Sequence, residues 1–206
     1  MRPPGYVPLA RDAVVDRLAD RFTASPGALR VALDGDPSTE PGAWGDELVA
    51  ALRVRGRPGV HVRAETFWRD ASLRLEYGHQ DLESYRAWLD TVALRREVLD
   101  PLVTSGSYLP SLRDPATNRS TREPARDAEP GTVLVVSGSL LLGHGLPFDQ
   151  VVHLTASPAA RARRTPEQDA WTLAAYVDYD DEVQPIATAD VVVKVEDPAR
   201  PAVRGL

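Results

Sequence analysis

Apolar positions along the chain alternate between helical spacings and short unbroken runs. Leu9, Val14, Leu18 and Phe22 recur among Arg and Asp at helical spacing, which predicts an amphipathic helix over 9–22. The mostly apolar run 29–33 suits a strand buried on both faces. Trp44, Leu48, Ala51 and Leu52 mark a helix over 41–55, a glycine-bounded turn follows at 56–59, and a second strand runs over 60–64. A long helix is expected over 82–102, with Tyr85, Trp88, Leu89, Val92, Leu99 and Leu102 on one face and Trp88 in the core. Further strands are expected at 108–112, 132–136, 151–154 and 191–195. A helix starts at Ser157 with Pro158 in its first turn; Pro166 interrupts it, and 168–183 resumes as a helical or lid-like stretch. Strands alternating with helices imply one domain, an α/β fold of three layers around a mainly parallel sheet of about five strands. Residues 1–8 read as an extended arm, 69–81 as irregular, 113–130 as a mobile loop or short polar hairpin, and 165–182 as a mobile or lid segment.

Composition narrows the partners. With 206 residues and 43% hydrophobic content the chain can bury a proper core. A net charge of −6 argues against nucleic acid as the main partner. The absence of cysteine leaves neither a disulfide framework nor a thiolate metal site. No run reaches the ~18 apolar residues that a membrane span requires, and the N-terminus lacks a signal-peptide core. The expectation is a cytoplasmic protein that acts on a small molecule; a homodimer is left open.

The most informative stretch is VALDGDPSTEPGAWGDEL, Val31 to Leu48, a strand, tight loop and helix in succession. In that frame the phosphate-binding pattern is G-x-x-x-x-G-K-[ST], whose backbone N–H groups, lysine and hydroxyl hold phosphate and magnesium. With Gly35 as the first glycine, Asp36, Ser38 and Thr39 fall within the loop. Glu40 then takes the second glycine's place, Pro41 the lysine's and Gly42 the hydroxyl's. A carboxylate about 4 Å from a phosphate charge repels it by roughly 4 kcal/mol at an effective dielectric near 20, more than the half charge of a helix N-terminus offsets. Pro41 also deletes a donor. The same residues read equally as an ordinary helix start, with Thr39 or Glu40 as cap and Pro41 in the first turn.

Three other stretches resemble the uridine kinases and their actinobacterial relatives. Ala64-Glu65-Thr66-Phe67-Trp68-Arg69 is similar to their D-[DS]-F-[YH]-R segment, 93–102 to the helix before their third strand, and Ala189-Asp190-Val191-Val192-Val193 with Asp197-Pro198 to their last strand. The resemblance spans roughly 28–203 and implies a P-loop kinase-like fold. It implies that Glu65 is the carboxylate that takes a proton from an acceptor hydroxyl, and that 69–81 covers the acceptor. It implies lid arginines at Arg161, Arg163 and Arg164. The chain departs from the family at the loop and at Ser137, where relatives carry an aspartate before Gly138.

Other candidates follow from residue chemistry. Trp68, Tyr77, Tyr85 and Trp171 suit a pocket for a flat ring. Arg69, Arg113, Arg119, Arg161 and Arg164 suit an anionic group. His144 in Gly143-His144-Gly145 is a candidate acid–base group. An acidic cluster of Asp34, Asp36, Glu40 and Glu65 at the crevice would suit a cation, whereas separate solvated carboxylates are the plainer reading. The four histidines show no metal spacing, and no metal site is expected. Three functions stay open: an ATP-independent small-molecule protein centred on Glu65, an atypical nucleoside or small-molecule kinase using ATP and magnesium, and a non-catalytic regulatory pseudokinase. The first is favoured, with no cofactor.

Overall fold

The computed structural model describes residues 5–206; the first four residues of the expected arm lie outside them. In chain order the elements are β1 (Val7–Pro8), α1 (Arg11–Ala24), β2 (Leu29–Gly35), α2 (Pro41–Val54) and β3 (Gly59–Arg63). Short helices α3 (Ala71–Arg74) and α4 (Leu82–Arg86) follow. Next comes one continuous helix made of α5 (Thr91–Leu94), a π-helical segment (Arg95–Leu99) and α6 (Asp100–Thr104). After a two-stranded ladder of β4 (Ser107–Tyr108) and β5 (Arg126–Asp127), the chain re-enters the main sheet with β6 (Val133–Gly138) and β7 (Gln150–Thr155). Helices α7 (Pro158–Arg164), α8 (Leu173–Glu182) and α9 (Pro185–Thr188) lead to β8 (Val191–Lys194) and β9 (Ala202–Arg204).

The main sheet has seven strands in the order β1-β9-β8-β7-β2-β6-β3. Its five inner and right-hand strands, β8-β7-β2-β6-β3, are parallel as expected. The two additional strands, β1 and β9, pair antiparallel. At two and three residues they are too short to show a period in sequence. On one sheet face Val31, Leu33, Val133, Val135, Val152 and Leu154 pack on Phe22 of α1 and Trp44, Leu48 and Leu52 of α2. On the other, Ala32, Val62, Leu134 and Val136 pack on Phe67, Leu94, Val98 and Leu99. Each such side chain stabilises the fold by about 1.5–3 kcal/mol through removal from water.

The long helix expected over 82–102 is broken, and the break shapes the crevice. Asp81 caps α4 by accepting from Ser84 N (2.7 Å), and Asp90 caps a new helix by accepting from Ala93 N (2.8 Å). Between them the chain runs extended against 67–69: Arg69 N donates to Trp88 O (2.7 Å), Asp90 N donates to Phe67 O (2.9 Å), and Leu89 bridges Trp68. Val92, expected on the apolar face, is 67% exposed because the new helix starts in a different rotation. Pro101 explains the π-helical segment. It has no N–H for the Glu97 carbonyl, which instead accepts from Leu109 N (2.9 Å). The strand expected over 108–112 shrinks to Ser107–Tyr108, while in 113–130 Arg113 bridges Ser120 and Arg126–Asp127 pairs with Ser107–Tyr108.

Gly35 ends β2 where no side chain fits. A Cβ there would stand 2.6 Å from Thr39 Oγ1 and 2.9 Å from both Leu154 Cβ and Leu154 O. Gly35→Ala is therefore expected to lose about 2 kcal/mol, read as a lower urea midpoint at unchanged slope. A variant as stable as the parent would show that the loop yields freely.

Candidate functional site

The C-terminal ends of β2, β3 and β6 open onto the crevice where α/β sheets bind ligands. The loop after β2 is a tight 3-10 turn, Pro37–Thr39, closed on itself. Ser38 N donates to Asp36 Oδ1 (3.0 Å), Thr39 N to Asp36 O (3.0 Å) and Glu40 N to Pro37 O (3.1 Å). Pro37 and Pro41 have no N–H to offer. Glu40 adopts the left-handed conformation (φ 58°, ψ 51°) at the position where the phosphate-binding pattern has its second glycine. The loop keeps a glycine-type bend there without a glycine.

Arg161 of α7 lies across this loop. Its side chain is buried, with Nε 3.2 Å from Asp36 Oδ2 and Nη2 3.1 Å from Asp180 of α8. The guanidinium expected to meet an anion is thus bound by two carboxylates of the chain itself. Asp34, one residue inside the strand, is fully buried. It accepts from Leu141 N (2.9 Å) and Tyr179 Oη (3.1 Å) and lies 2.7 Å from His153 Nδ1. Burial beside Asp34 pushes the Tyr179 hydroxyl far above its ordinary value.

At Ser137, Oγ is 2.7 Å from His61 Nε2, and His61 Nδ1 is 2.7 Å from Asp46 of α2, which also binds Arg63. Burial lowers the His61 pKa. This chain of polar groups fills the gap between α2 and the ends of β3 and β6; a Cβ on Gly45 would stand 2.4 Å from His61, one on Gly42 2.1 Å from Arg63.

Beyond the loop a cavity of about 580 Å³ opens between Ala64–Trp68, α4, and the segment from Arg164 through Tyr176. Glu65, Arg164 and three of the four aromatics expected in a pocket, Trp68, Tyr85 and Trp171, line it, together with Ser38 of the loop. Glu65 is half-buried, and desolvation raises its pKa above the ordinary 4.5. Arg63 pairs with Asp46, so among the described residues Glu65 has no ion-pair partner. The aromatic rings pack edge to face: Tyr85 on Trp88 (4.9 Å), Tyr85 on Trp171 (5.2 Å) and Trp68 on Trp88 (5.3 Å). Tyr85 and Tyr176 share a hydrogen bond (2.6 Å) across α4 and α8. Tyr176 and His79 line the cavity without having been singled out for it, and Trp88 serves both core and cavity wall. The aromatic spacing of Tyr176 and Tyr179 on α8 was the available signal for the first.

Other candidates lie elsewhere. Tyr77, 75% exposed, and Arg69 border a separate surface groove. Arg113 pairs with Asp70 (3.0 Å) and donates to Asn118 O (2.8 Å), while Arg119 is exposed. His144 lines a different hollow and bonds Leu140 O (3.1 Å). The acidic cluster does not form: Asp34 and Asp36 bind the groups described, and Glu40 points outward near Arg11 (3.6 Å). Among the described residues no three His, Asp or Glu side chains are grouped to hold a metal ion, and no helix is long and apolar enough to cross a membrane.

The parallel sheet and the strand–loop–helix at its centre define a uridine kinase-like P-loop kinase fold. No protein-family model matches the chain, and neither does any curated protein. Among solved structures, the chain is similar to a protein described as a possible uridine kinase from Bacillus stearothermophilus. The TM-score is 0.71 at 19% identity, over 86% of this chain and 96% of that one. It is also similar to a protein proposed as a fructose transport system kinase from Silicibacter, with TM-score 0.56 at 21% identity, over 88% of this chain and 95% of the other.

A carboxyl whose pKa is raised by folding holds its proton more tightly in the native state. It therefore costs stability as pH rises from 4.5 through its raised folded value, and stays costly above that. Glu65→Gln is expected to raise Tm near pH 7 and to change it little near pH 4. A lower Tm at neutral pH would mean that Glu65 has a stabilising partner.

Proposed function

We propose that the chain is a P-loop kinase fold that binds a small molecule at the Glu65 cavity without using ATP. The observation that carries this reading is the buried Asp36–Arg161 ion pair (3.2 Å), extended to Asp180, across the phosphate loop. Polyphosphate binding needs free N–H donors and uncompensated positive charge at that point. Here three loop N–H groups are bonded inside the loop, two positions are proline, the lysine is absent, and the arginine is neutralised. Magnesium finds Ser137 in place of a carboxylate, already hydrogen-bonded to His61. The residues present do not fit MgATP.

The acceptor side keeps its chemistry. Glu65 stands at the end of β3 in a walled cavity, with a raised pKa suited to proton transfer. A ligand hydroxyl or amine at Glu65 meets an acid–base group in a partly dehydrated site. The fold thus retains one half of a kinase crevice.

The deciding experiment is calorimetric titration of the protein with MgATP. The expected result is no binding at millimolar nucleotide; micromolar binding, or MgATP consumption with any hydroxylated acceptor, would restore the kinase reading. The triple substitution Glu40→Gly, Pro41→Lys and Gly42→Thr, combined with Asp36→Gly, is expected to create nucleotide affinity once Arg63 moves aside. Asp36→Ala alone should lower stability by about 3 kcal/mol, because it strips Arg161 of one of two partners. It should also make Tm more responsive to added phosphate than in the parent. Equal responses would show that Arg161 stays closed to anions.

A further inference from the structure

The charges around the Glu65 cavity are unevenly satisfied. Two arginines line it, and both are engaged elsewhere: Arg86 pairs with Glu182, and Arg164 donates to Val195 O (2.7 Å) and Glu196 O (2.6 Å). Two carboxylates line it, Glu65 and Asp169, and among the described residues neither has an ion-pair partner. An anion entering here would compete with main-chain acceptors for Arg164. It would also face two unneutralised carboxylates.

The walls point the same way. Tyr85, Trp88, Trp171, Trp68 and Tyr176 give an aromatic lining whose ring faces carry negative electrostatic potential. The same rings already hold cations from behind. Arg74 lies 4.7 Å from the Trp88 centroid and 5.2 Å from Trp68, and Arg161 lies 5.4 Å from Tyr176. Neither Arg74 nor Arg161 lines the cavity. The Trp171 Nε1 is a buried donor with no partner among the described residues.

We propose that the cavity takes a small organic ammonium ion, its positive charge between the Glu65 carboxylate and the faces of Tyr85, Trp171 and Tyr176. This rests on the ATP-free reading of the site and adds the ligand's chemical class. A half-buried carboxylate without an ion-pair partner is costly to close over, and a cation supplies the missing partner. Cation–π contact in a desolvated box is worth about 2 kcal/mol, or roughly 30-fold in affinity. A neutral ligand of the same shape would seal Glu65 from water with nothing in exchange. Because the cation favours the ionised carboxyl, affinity should rise with pH across the Glu65 titration, and binding should release protons.

The test uses the intrinsic tryptophan fluorescence of the whole protein, in which three of the four tryptophans, Trp68, Trp88 and Trp171, line the cavity. Choline and phenethylamine are titrated beside dimethylbutanol (the neutral carbon isostere of choline), uridine and ribose phosphate. The expected result is that choline or phenethylamine binds at least about tenfold more tightly than dimethylbutanol. Glu65→Gln should remove about tenfold of the cation's affinity and leave dimethylbutanol unchanged, and Trp171→Leu should weaken the cation likewise. Glu65→Gln is expected to fold at least as well as the parent, so it carries the test if Trp171→Leu does not fold. Equal binding of choline and its isostere, tighter binding of uridine or ribose phosphate, or no binding of either cation at millimolar concentration would overturn the proposal. Those outcomes leave the ATP-free reading standing. Displacement of choline by MgATP would overturn that reading and not the ammonium site.

Discussion

The Asp36–Arg161–Asp180 group ties together three parts of the molecule. Asp36 leaves the central strand, Arg161 comes from α7, and Asp180 comes from α8. With both buried side chains charged, neither Asp36 nor Arg161 tolerates the loss of the other. The loop is therefore held in one conformation by electrostatics in the region where P-loop folds leave freedom for a ligand. Asp34, one turn of the strand earlier, does similar work by receiving Leu141 N, Tyr179 Oη and His153, so that α8 is fastened at two depths.

That fastening sets the shape of the remaining cavity. The α8 helix brings Tyr176 to Tyr85, and the interruption between α4 and α5 brings Trp88 beside Trp68. Had residues 82–102 formed one helix, Trp88 would have lacked the main-chain pairing with 67–69 that fixes its ring. The cavity follows from two aspartate caps and the extended stretch 88–90 that ends on the second.

The parallel core was readable because its strands are apolar throughout and its helices keep one apolar stripe, signals that tertiary contacts reinforce. That Glu65, Trp68 and Tyr85 share one cavity follows from a motif that put the first two at the end of a strand and from aromatic residue type for the third. The helix break was hidden: Leu89 and Leu99 fit one stripe, and the N-cap role of Asp90 shows only when the Ala93 amide turns to meet it. The engagement of Arg161 was equally hidden, since its partners lie 125 and 19 positions away. Tyr77, Arg69 and Arg119 failed for a simpler reason. Residue type suggested binding, while their loops carry them to the outer surface.

The sheet's borders have a consequence of another kind. One border is β1, two residues long and half proline, and Pro8 offers no N–H to an incoming strand. The other is β3, five residues ending in Arg63, whose charge discourages a flat apolar neighbour. Between these blunt margins lies a run of valines, in β6 and β8, that would be a strong template for cross-β association if laid bare. Those valine strands are interior, and each has a neighbour on both sides. The two border strands thus act as selvages: the proline of one and the terminal arginine of the other discourage extension of the fabric by another strand.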